Sequence, residues 1–394
     1  MKYYINFLRD KPIIRSLSLV NFIASFGAWF STVAIYTMVV EFGSSEFAIA
    51  IVTAMHFIPA ILIAPFSGSL IDRLRIKPLM VTLLFIELSM TACFLLIETA
   101  SQLWLLLIFI FIRMSAASMF FSSEMSLLAK IATGKDLQTA NEIQSIIWSF
   151  TYAVGMALSG FIVNLYGVKA AILIDVAIFV LAFFVFLNIK INIEYKKVEE
   201  KILELMIDGL RYIKNNKIIL HLIFLHASVG LTSYDALITI LAKNEYKEII
   251  AVPLAIGLSN AVRAVALMIG PIFLNKIIKK ENLQYLLVFQ GITIIIWAFA
   301  QSNFYLSLGA LFFVGFSTAF LWSYTYALLQ NHCDKRYIGR VISYNDMFFM
   351  LANVLTTLFI GTMAHITTTS IITICLGVAF LLYAYYYTKI YSKI

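Results

Sequence analysis

Long apolar segments constrain this chain more than any other feature of its sequence. A helix that crosses a membrane needs about 20 mostly apolar residues, and such segments follow one another along all 394 residues. Hydrophobic residues make up 62% of the chain and charged residues 13%, whereas soluble domains hold about 45–50% and about 25%. We therefore predict an all-α integral membrane protein with twelve transmembrane helices. The predicted spans are 16–40, 46–71, 78–98, 102–129, 141–164, 168–189, 218–241, 251–275, 284–301, 304–330, 341–364 and 367–390.

The positions of Lys and Arg predict the orientation of these spans. If the N-terminus is cytoplasmic, the connections on that side hold 24 of the 29 Lys and Arg residues, and the opposite connections hold three. Cytoplasmic connections of membrane proteins carry such an excess, so we expect both termini in the cytoplasm. The apolar stretch after the basic start is too long for a signal peptide, so no cleaved signal is expected.

The two halves of the sequence repeat weakly. The segment 68–73 ends the second predicted span, and a related segment at 270–276 ends the eighth. Parallel repeats of this kind form two bundles about an axis along the membrane normal, with a binding site near the midplane. We predict a six-helix bundle at 1–189, a cytoplasmic linker with an amphipathic helix at 190–217, and a second six-helix bundle at 218–394, the bundles being related by a pseudo-two-fold.

These motifs resemble those of the major facilitator superfamily. Gly68-Ser-Leu-Ile-Asp72-Arg73-Leu-Arg-Ile-Lys77 is similar to its loop motif, Gly-x-Leu-x-Asp-Arg-x-Gly-Arg-Lys, with Arg75 in place of the second glycine. That departure is common in the drug-exporter branch typified by macrolide efflux proteins. Other segments that resemble this branch are Ser25-Phe-Gly27-Ala-Trp29, Ile58-Pro59, Phe111-Ile-Arg113, Ile174-Asp175, Asp208-Gly209-Leu-Arg211-Tyr and Tyr337-Ile-Gly339-Arg340-Val.

The resemblance implies a monomeric exporter of a small hydrophobic or amphipathic, drug-like compound in the bacterial inner membrane. Proton antiport with alternating access is the implied mechanism, and no cofactor, metal or nucleic acid is expected. Two departures from the pattern of this family bear on the direction of transport. Ala28 replaces an acidic or polar residue, and the antiporter signature of the fifth span is reduced to Gly155 and Gly160.

The loop motif predicts a gate. Gly68 allows two helices to approach closely, and Asp72 at a helix end can accept hydrogen bonds from a neighbouring helix N-terminus. Arg73 and Lys77 can pair with acidic groups or with anionic lipid headgroups. The alternative is that the basic residues only determine topology.

Charged residues inside a span are costly and usually face a partner or a cavity. Arg113, Asp175 and Glu87 lie at similar predicted depths, about 11–16 Å below the outer helix ends. A buried carboxylate beside an arginine can couple transport to protons, although a permanent structural ion pair is an equal alternative. Asp235 and Arg263 could pair similarly, but their predicted depths differ by about 9 Å.

Other polar residues have simpler interpretations. His56, His221 and His226 fall within helices, where a lone histidine favours a hydrogen bond between helices over proton transfer. Glu41 and Glu124 lie near predicted helix ends, and we expect both to be solvated. Cys93, Cys333 and Cys375 are scattered and predict neither a disulfide nor a zinc site.

The first, fourth, seventh and tenth spans should line the cavity. Their aromatic side chains suit apolar or amphipathic ligands, although ordinary packing is the alternative for any one of them. The candidates are Asn21, Trp29, Tyr36, Phe120, Phe121, Tyr234, Trp322, Tyr324 and Tyr326.

Other functions remain open. Export of a siderophore, metal chelate or lipid, and uptake instead of export, are alternatives within transport. A non-transporting scaffold would not need paired charges inside the membrane. An enzyme is not supported, because the sequence holds no P-loop, nucleophile elbow or metal cluster.

Overall fold

The computed structural model of the chain describes residues 2–191, 202–275, 277–334 and 336–391. All regular structure in these residues is helical. The α-helices are α1 (Lys2–Asp10), α2 (Pro12–Glu41), α3 (Glu46–Ala54), α4 (Ile58–Arg73), α5 (Ile76–Cys93), α6 (Leu103–Ile131), α7 (Gly134–Leu187), α8 (Ile202–Asn215), α9 (Lys217–Ala227), α10 (Asp235–Leu241), α11 (Val252–Leu274), α12 (Leu283–Ala300), α13 (Phe304–His332), α14 (Ile338–Met363) and α15 (Thr369–Ile390).

Helix α7 holds two membrane spans. Its 54 residues correspond to about 81 Å at 1.5 Å per residue, far more than a hydrocarbon core of about 30 Å. Gly167 breaks it with φ +81° and ψ 172°, a conformation that only glycine adopts readily. The described residues contain eleven helical segments that are long and apolar enough to cross a membrane. Because α7 crosses twice, the twelve predicted spans are present.

Two spans that we predicted as single helices are interrupted. The second span is divided into α3 and α4, and Pro59 lies in the first turn of α4, where its missing N–H costs nothing. The seventh span passes through a 3₁₀ turn at Ser228–Thr232 between α9 and α10. The hydroxyls of Ser228 and Thr232 donate to carbonyls three residues earlier, at 2.6 and 2.7 Å, and such bonds compete with regular helix.

Twelve crossings return the chain to the side on which it began. We call the side of the two chain ends the terminal face and the opposite side the far face. One apolar core contains buried residues from both halves of the chain, including Phe30 and Phe380. A second core, which includes Phe7, Leu84 and Phe186, draws only on residues 7–189. The chain therefore belongs to the twelve-helix, two-bundle class of all-α membrane proteins.

Glycines allow the fifth and eighth spans to pack backbone against backbone. A Cβ at Gly160 would lie 2.7 Å from the carbonyl oxygen of Pro253, and one at Gly257 would lie 2.6 Å from that of Met156. Only glycine permits so close an approach. Gly155 makes room in turn for Trp29, whose Cβ would lie 2.8 Å away from an added methyl group.

An ion-pair cluster joins the two halves at the far face. Lys243 Nζ lies 3.0 Å from Glu46 Oε1 and donates to the carbonyl of Ser44 at 2.8 Å. His365 Nδ1 lies 3.7 Å from Glu46 Oε2. Glu46 begins α3 and Lys243 follows α10, so this cluster connects the second span with the seventh and the eleventh.

The predicted linker helix is present as α8, and residues 192–201 lie outside the described residues. Helix α8 packs on the start of α14. Arg340 Nη1 donates to Asp208 Oδ2 at 2.6 Å, and the rings of Tyr212 and Tyr337 stack with centroids 4.2 Å apart. Gly209 lies against Arg340, whose Cβ would be 2.8 Å from an added methyl group.

Candidate functional site

A buried ion pair lies between the fourth and sixth spans. Arg113 Nη2 donates to Asp175 Oδ2 at 3.0 Å, and the two side chains are 6% and 0% exposed. Ser31 Oγ also donates to Asp175 Oδ2. The guanidinium lies over the rings of Phe94 and Phe179, 5.6 and 5.3 Å from their centroids. The contact that the depths of Arg113 and Asp175 predicted is therefore present.

Space for the Asp175 carboxylate depends on a glycine in the first span. A Cβ at Gly27 would lie 2.5 Å from Asp175 Oδ1 and 2.9 Å from Ile178 Cγ2. Asp175 Oδ1 itself has no hydrogen-bond partner among the described residues. Asp175 Oδ2 thus accepts two hydrogen bonds from described residues, and Oδ1 accepts none.

Glu87 lies near this pair without joining it. Its side chain is 7% exposed and feels the charges of Arg113 and Asp175. Among the described residues no side chain donates a hydrogen bond to its carboxylate, and the hydroxyl of Thr91 bonds to its backbone carbonyl instead.

The second predicted pair, Arg263 and Asp235, is linked to the other half of the chain by a hydrogen bond from Arg263. Arg263 Nη2 lies 3.4 Å from Asp235 Oδ1 and donates to the hydroxyl of Tyr152 at 2.6 Å. Tyr152 donates in turn to Asn260 Oδ1 at 3.1 Å. The seventh span is interrupted before Asp235, so the depth that we calculated for Asp235 from a straight helix was wrong. The two charges therefore meet despite the predicted difference in depth.

The prediction that Glu124 is solvated was wrong. It is 2% exposed, because α6 continues seven residues beyond it and α2 and α7 pack across it. Asn21 Nδ2 and Gln144 Nε2 donate to its carboxylate at 3.2 and 2.7 Å. Asn21 also donates to Gln144 Oε1 and accepts from Ser25. Glu41 is exposed, as expected.

Sequence reasoning missed Asp346. It lies half-buried in α14, and Asn345 Nδ2 donates to its carboxylate at 3.4 Å. Its charge also reaches the hydroxyl of Tyr326. Its position five residues after the start of the predicted span 341–364 was the signal that could have found it.

Two of the three intramembrane histidines make the expected contacts between helices. His226 Nδ1 lies 2.8 Å from Thr325 Oγ1 and His221 Nδ1 lies 2.5 Å from the hydroxyl of Tyr386. The prediction was wrong for His56, which lies in the turn between α3 and α4 with its Nδ1 3.0 Å from the carbonyl oxygen of Val52. His226 Nε2 is buried without a partner among the described residues.

The candidate cavity residues separate into three groups. The ring of Trp29 packs at a tilt of 41° against Tyr152 with centroids 4.5 Å apart, and Trp322 stacks on Tyr326 at 5.0 Å. All four belong to aromatic clusters that include partly exposed rings. Asn21 binds Glu124, and Tyr324 stacks on Phe320. The others are buried in packing or exposed away from it: Tyr36, Phe120 and Tyr234 are 3%, 8% and 0% exposed, and Phe121 is 57% exposed.

The loop motif connects α4 with α5. Lys77 Nζ donates to the carbonyl of Leu187, at the end of the sixth span, at 3.1 Å. Gly68, Asp72 and Arg73 belong to the helical backbone of α4. Their side-chain positions lie outside the described part of the structure, so the proposed gate contacts of Asp72 and Arg73 stay predictions.

The chain belongs to the Major Facilitator Superfamily, whose sequence profile matches residues 17–357. It is 24% identical over 185 residues to "Uncharacterized MFS-type transporter YfiS" of Bacillus subtilis (strain 168). That match covers 44% of this chain and 42% of the relative, so the chain spans under half the length of this curated relative.

Solved structures share the fold at low sequence identity. A D-xylose-proton symporter superposes with a TM-score of 0.73 at 13% identity, covering 94% of this chain and 97% of the other. The nucleoside transporter NupG gives 0.72 at 13% identity, over 96% and 99%. A bacterial homologue of the human lysosomal transporter Spinster, in an inward-facing and unoccupied conformation, gives 0.71 at 12%, over 96% and 95%.

Proposed function

We propose that this protein is a secondary active transporter that exports a small hydrophobic or amphipathic, drug-like compound by proton antiport. It works in the bacterial inner membrane as a monomer, with the terminal face in the cytoplasm. Residues 1–189 and 218–394 are the two bundles that move relative to each other, and 190–217 is their cytoplasmic linker. Membership of the superfamily supports transport, and the excess of Lys and Arg on one side supports the orientation.

The enclosed pair of Arg113 and Asp175 is the observation that carries the coupling mechanism. An arginine fixed by two aromatic rings holds a carboxylate that keeps one oxygen free. Protonation of Asp175 weakens the pair and its hold on α2 through Ser31. A proton therefore shifts the balance between the outward-facing and inward-facing states, which is what an antiporter requires.

The contacts between the two bundles break and form again as the transporter changes between its outward-facing and inward-facing states. The Glu46–Lys243 pair and the Arg263–Tyr152 bond connect helices of opposite bundles. Both can break without stranding a deeply buried charge, because their side chains retain some exposure. We expect Asp72, at the end of α4, to supply the corresponding gate at the cytoplasmic side, as the loop motif predicts.

The substrate class follows from the aromatic walls. Trp29 on the first bundle and Trp322 and Tyr326 on the second supply stacking area with little fixed charge. Uptake of a polar solute is the second candidate, because the solved structures with this fold include a D-xylose-proton symporter and a nucleoside transporter. Export of a siderophore, metal chelate or lipid fits the same architecture.

Transport in inverted and right-side-out vesicles tests this proposal. A panel of fluorescent lipophilic dyes, together with radiolabelled nucleosides and pentoses, is assayed with and without an imposed proton gradient. Export predicts that inverted vesicles accumulate a dye only when their interior is acidic. Accumulation of a nucleoside or pentose in right-side-out vesicles would support uptake instead, and no gradient-dependent movement of any probe would contradict the proposal.

A further inference from the structure

Glu124 is a buried carboxylate that forms no ion pair with any residue that the structure describes. Arg113 balances the charge of Asp175 at 3.0 Å, whereas Glu124 is just as enclosed and meets only the neutral amides of Asn21 and Gln144. Amide donors stabilise a carboxylate less than an ion pair does. Burial without a countercharge therefore favours binding of a proton at this site.

The charged groups around Glu124 are occupied elsewhere or lie apart from it. On α7, Glu142 accepts hydrogen bonds from the hydroxyl of Tyr4 and from Gln138. On α2, Arg15 is exposed, and on α5, Lys77 bonds to a carbonyl at the end of the sixth span. None of the described charged side chains on α2, α4, α5, α6 and α7 forms an ion pair with Glu124. These residues are Arg15, Glu41, Lys77, Glu87, Arg113, Lys130, Lys135, Asp136, Glu142, Lys169 and Asp175.

The site lies between the coupling pair and the terminal face. Glu124 is eleven residues after Arg113 on α6, about 17 Å along the helix, and seven residues before its end, about 11 Å. Its donors Asn21 and Gln144 come from α2 and α7, and Asn21 is half-exposed. Asn21 therefore links the Glu124 carboxylate to a partly exposed position on the terminal-face side of the enclosed pair.

We propose that Glu124 is a second proton-binding carboxyl group of the transport cycle, which exchanges its proton with solvent at the terminal face. This inference rests on the proposed proton coupling. When Glu124 takes up a proton, its carboxylate becomes a neutral acid with one O–H donor, and it can no longer accept from both amides at full strength. The links that Asn21 and Gln144 make from α6 to α2 and α7 then weaken. Release of the proton restores both hydrogen bonds.

Infrared difference spectroscopy of the purified, reconstituted protein tests this assignment without a substrate. Acidification of the wild type should produce carbonyl absorption from protonated carboxyl groups shielded from water, and Asp175 and Glu87, which are also buried, can contribute to it beside Glu124. Glu124→Gln should lose the part of this band that Glu124 supplies, and Glu142→Gln, the matched control on a neighbouring solvent-accessible carboxyl group, should retain the whole band. The difference between the wild-type and Glu124→Gln spectra therefore reports Glu124. An unchanged band in Glu124→Gln overturns the proposal.

A second variant covers the case in which Glu124→Gln does not fold. Gln144→Leu removes the 2.7 Å donor, so the carboxylate form loses support and the band should appear at a higher pH. The same midpoint as in the wild type would overturn the proposal. Because the spectrum reports Glu124 directly, it stays decisive if vesicles show no proton-driven transport, an outcome that contradicts the proposed function alone.

Discussion

Two arginine–carboxylate pairs lie within the spans, and their surroundings differ. Arg113 and Asp175 belong to one bundle and are 6% and 0% exposed. Arg263 and Asp235 are 13% and 19% exposed, and Arg263 also holds Tyr152 on α7. The first pair is short and enclosed. The second is longer and lies within the other bundle, with a link to the first bundle through Tyr152, and Arg263 Nη1 is unpartnered among the described atoms.

This difference separates two tasks that a transporter must perform. An enclosed pair changes state only when its own charge changes, so it suits sensing of a proton. A partly exposed pair beside an interface exchanges its partners for water at modest cost, so it suits repeated opening. We therefore assign coupling to Arg113 and Asp175, and movement between the bundles to Arg263, Asp235 and Tyr152.

Removal of the enclosed cation should have the largest effect. Arg113→Ala leaves Asp175 buried without its partner, and breaking a buried pair in this way costs about 3–5 kcal/mol of unfolding free energy. Thermal unfolding of the purified protein in detergent measures the loss, and Arg15→Ala, an exposed arginine on α2, is the control. A variant that melts like the wild type would show that the pair contributes little to stability.

Crowding the enclosed pair should have the next largest effect. A methyl group at Gly27 would lie 2.5 Å from Asp175 Oδ1, and overpacking of this kind costs about 1–3 kcal/mol. Gly309→Ala is the matched control, because that helical glycine has open space around it, and alanine there should be neutral or stabilising by up to about 1 kcal/mol. Equal melting temperatures for the two alanine variants would argue against tight packing around Asp175.

The shared pair should respond differently. Arg263→Gln removes a charged hydrogen bond worth about 1–2 kcal/mol, but water can reach Asp235, so the variant should fold. Its defect should appear in the rate of transport, since α7 loses its link to α11. Parallel melting curves and vesicle transport rates separate the two effects. A loss of stability as large as that of Arg113→Ala would remove the distinction between the pairs.

Removal of a solvent-exposed ion pair should have the smallest effect on stability. Lys169 Nζ lies 2.6 Å from Glu98 Oε1 in the connections at the far face, and both side chains are 63% exposed. The hydrogen bond from Lys169 lowers the pKa of Glu98, so any contribution is present at neutral pH and is lost as the pH falls through that lowered pKa. Lys169→Gln should leave the melting temperature unchanged at neutral pH. A clear decrease would mean that exposure is a poor guide to the strength of these pairs.

Hydropathy predicted the twelve spans well, because a lipid solvent imposes length and composition directly on the sequence. It could not predict the interruptions at Pro59 and at Ser228–Thr232, which depend on local hydrogen bonds that apolar length does not record. Depth placed both Glu87 and Asp175 within reach of Arg113, and the resemblance of Ile174-Asp175 to the efflux proteins favoured Asp175, which forms the contact. Asp235 follows an interruption of its helix, and there the depth calculated from the rise of a straight helix made its pairing with Arg263 look unfavourable.

The prediction that Glu124 is solvated was wrong because it used distance from a helix end as a measure of exposure. Burial depends on the neighbouring helices, and the polar residues Asn21 and Gln144 inside apolar spans were the missing signal. The cavity candidates show the same limit. Tyr36, Phe120 and Tyr234 lie on the expected spans but are buried. The helical period and the number of the span do not show which side of a helix is covered by another helix.

The central claim is that Asp175 carries the coupled proton. Asp175→Asn keeps an oxygen acceptor for Arg113 and Ser31 while removing the titrating group, so the variant should fold and still bind a dye that the wild type transports. Melting temperature and proton-driven dye transport are measured on the same reconstituted preparations, with Asp10→Asn, an exposed residue, as the control. The account predicts a folded protein whose dye transport no longer responds to a proton gradient. A stable Asp175→Asn protein with intact proton coupling would contradict it.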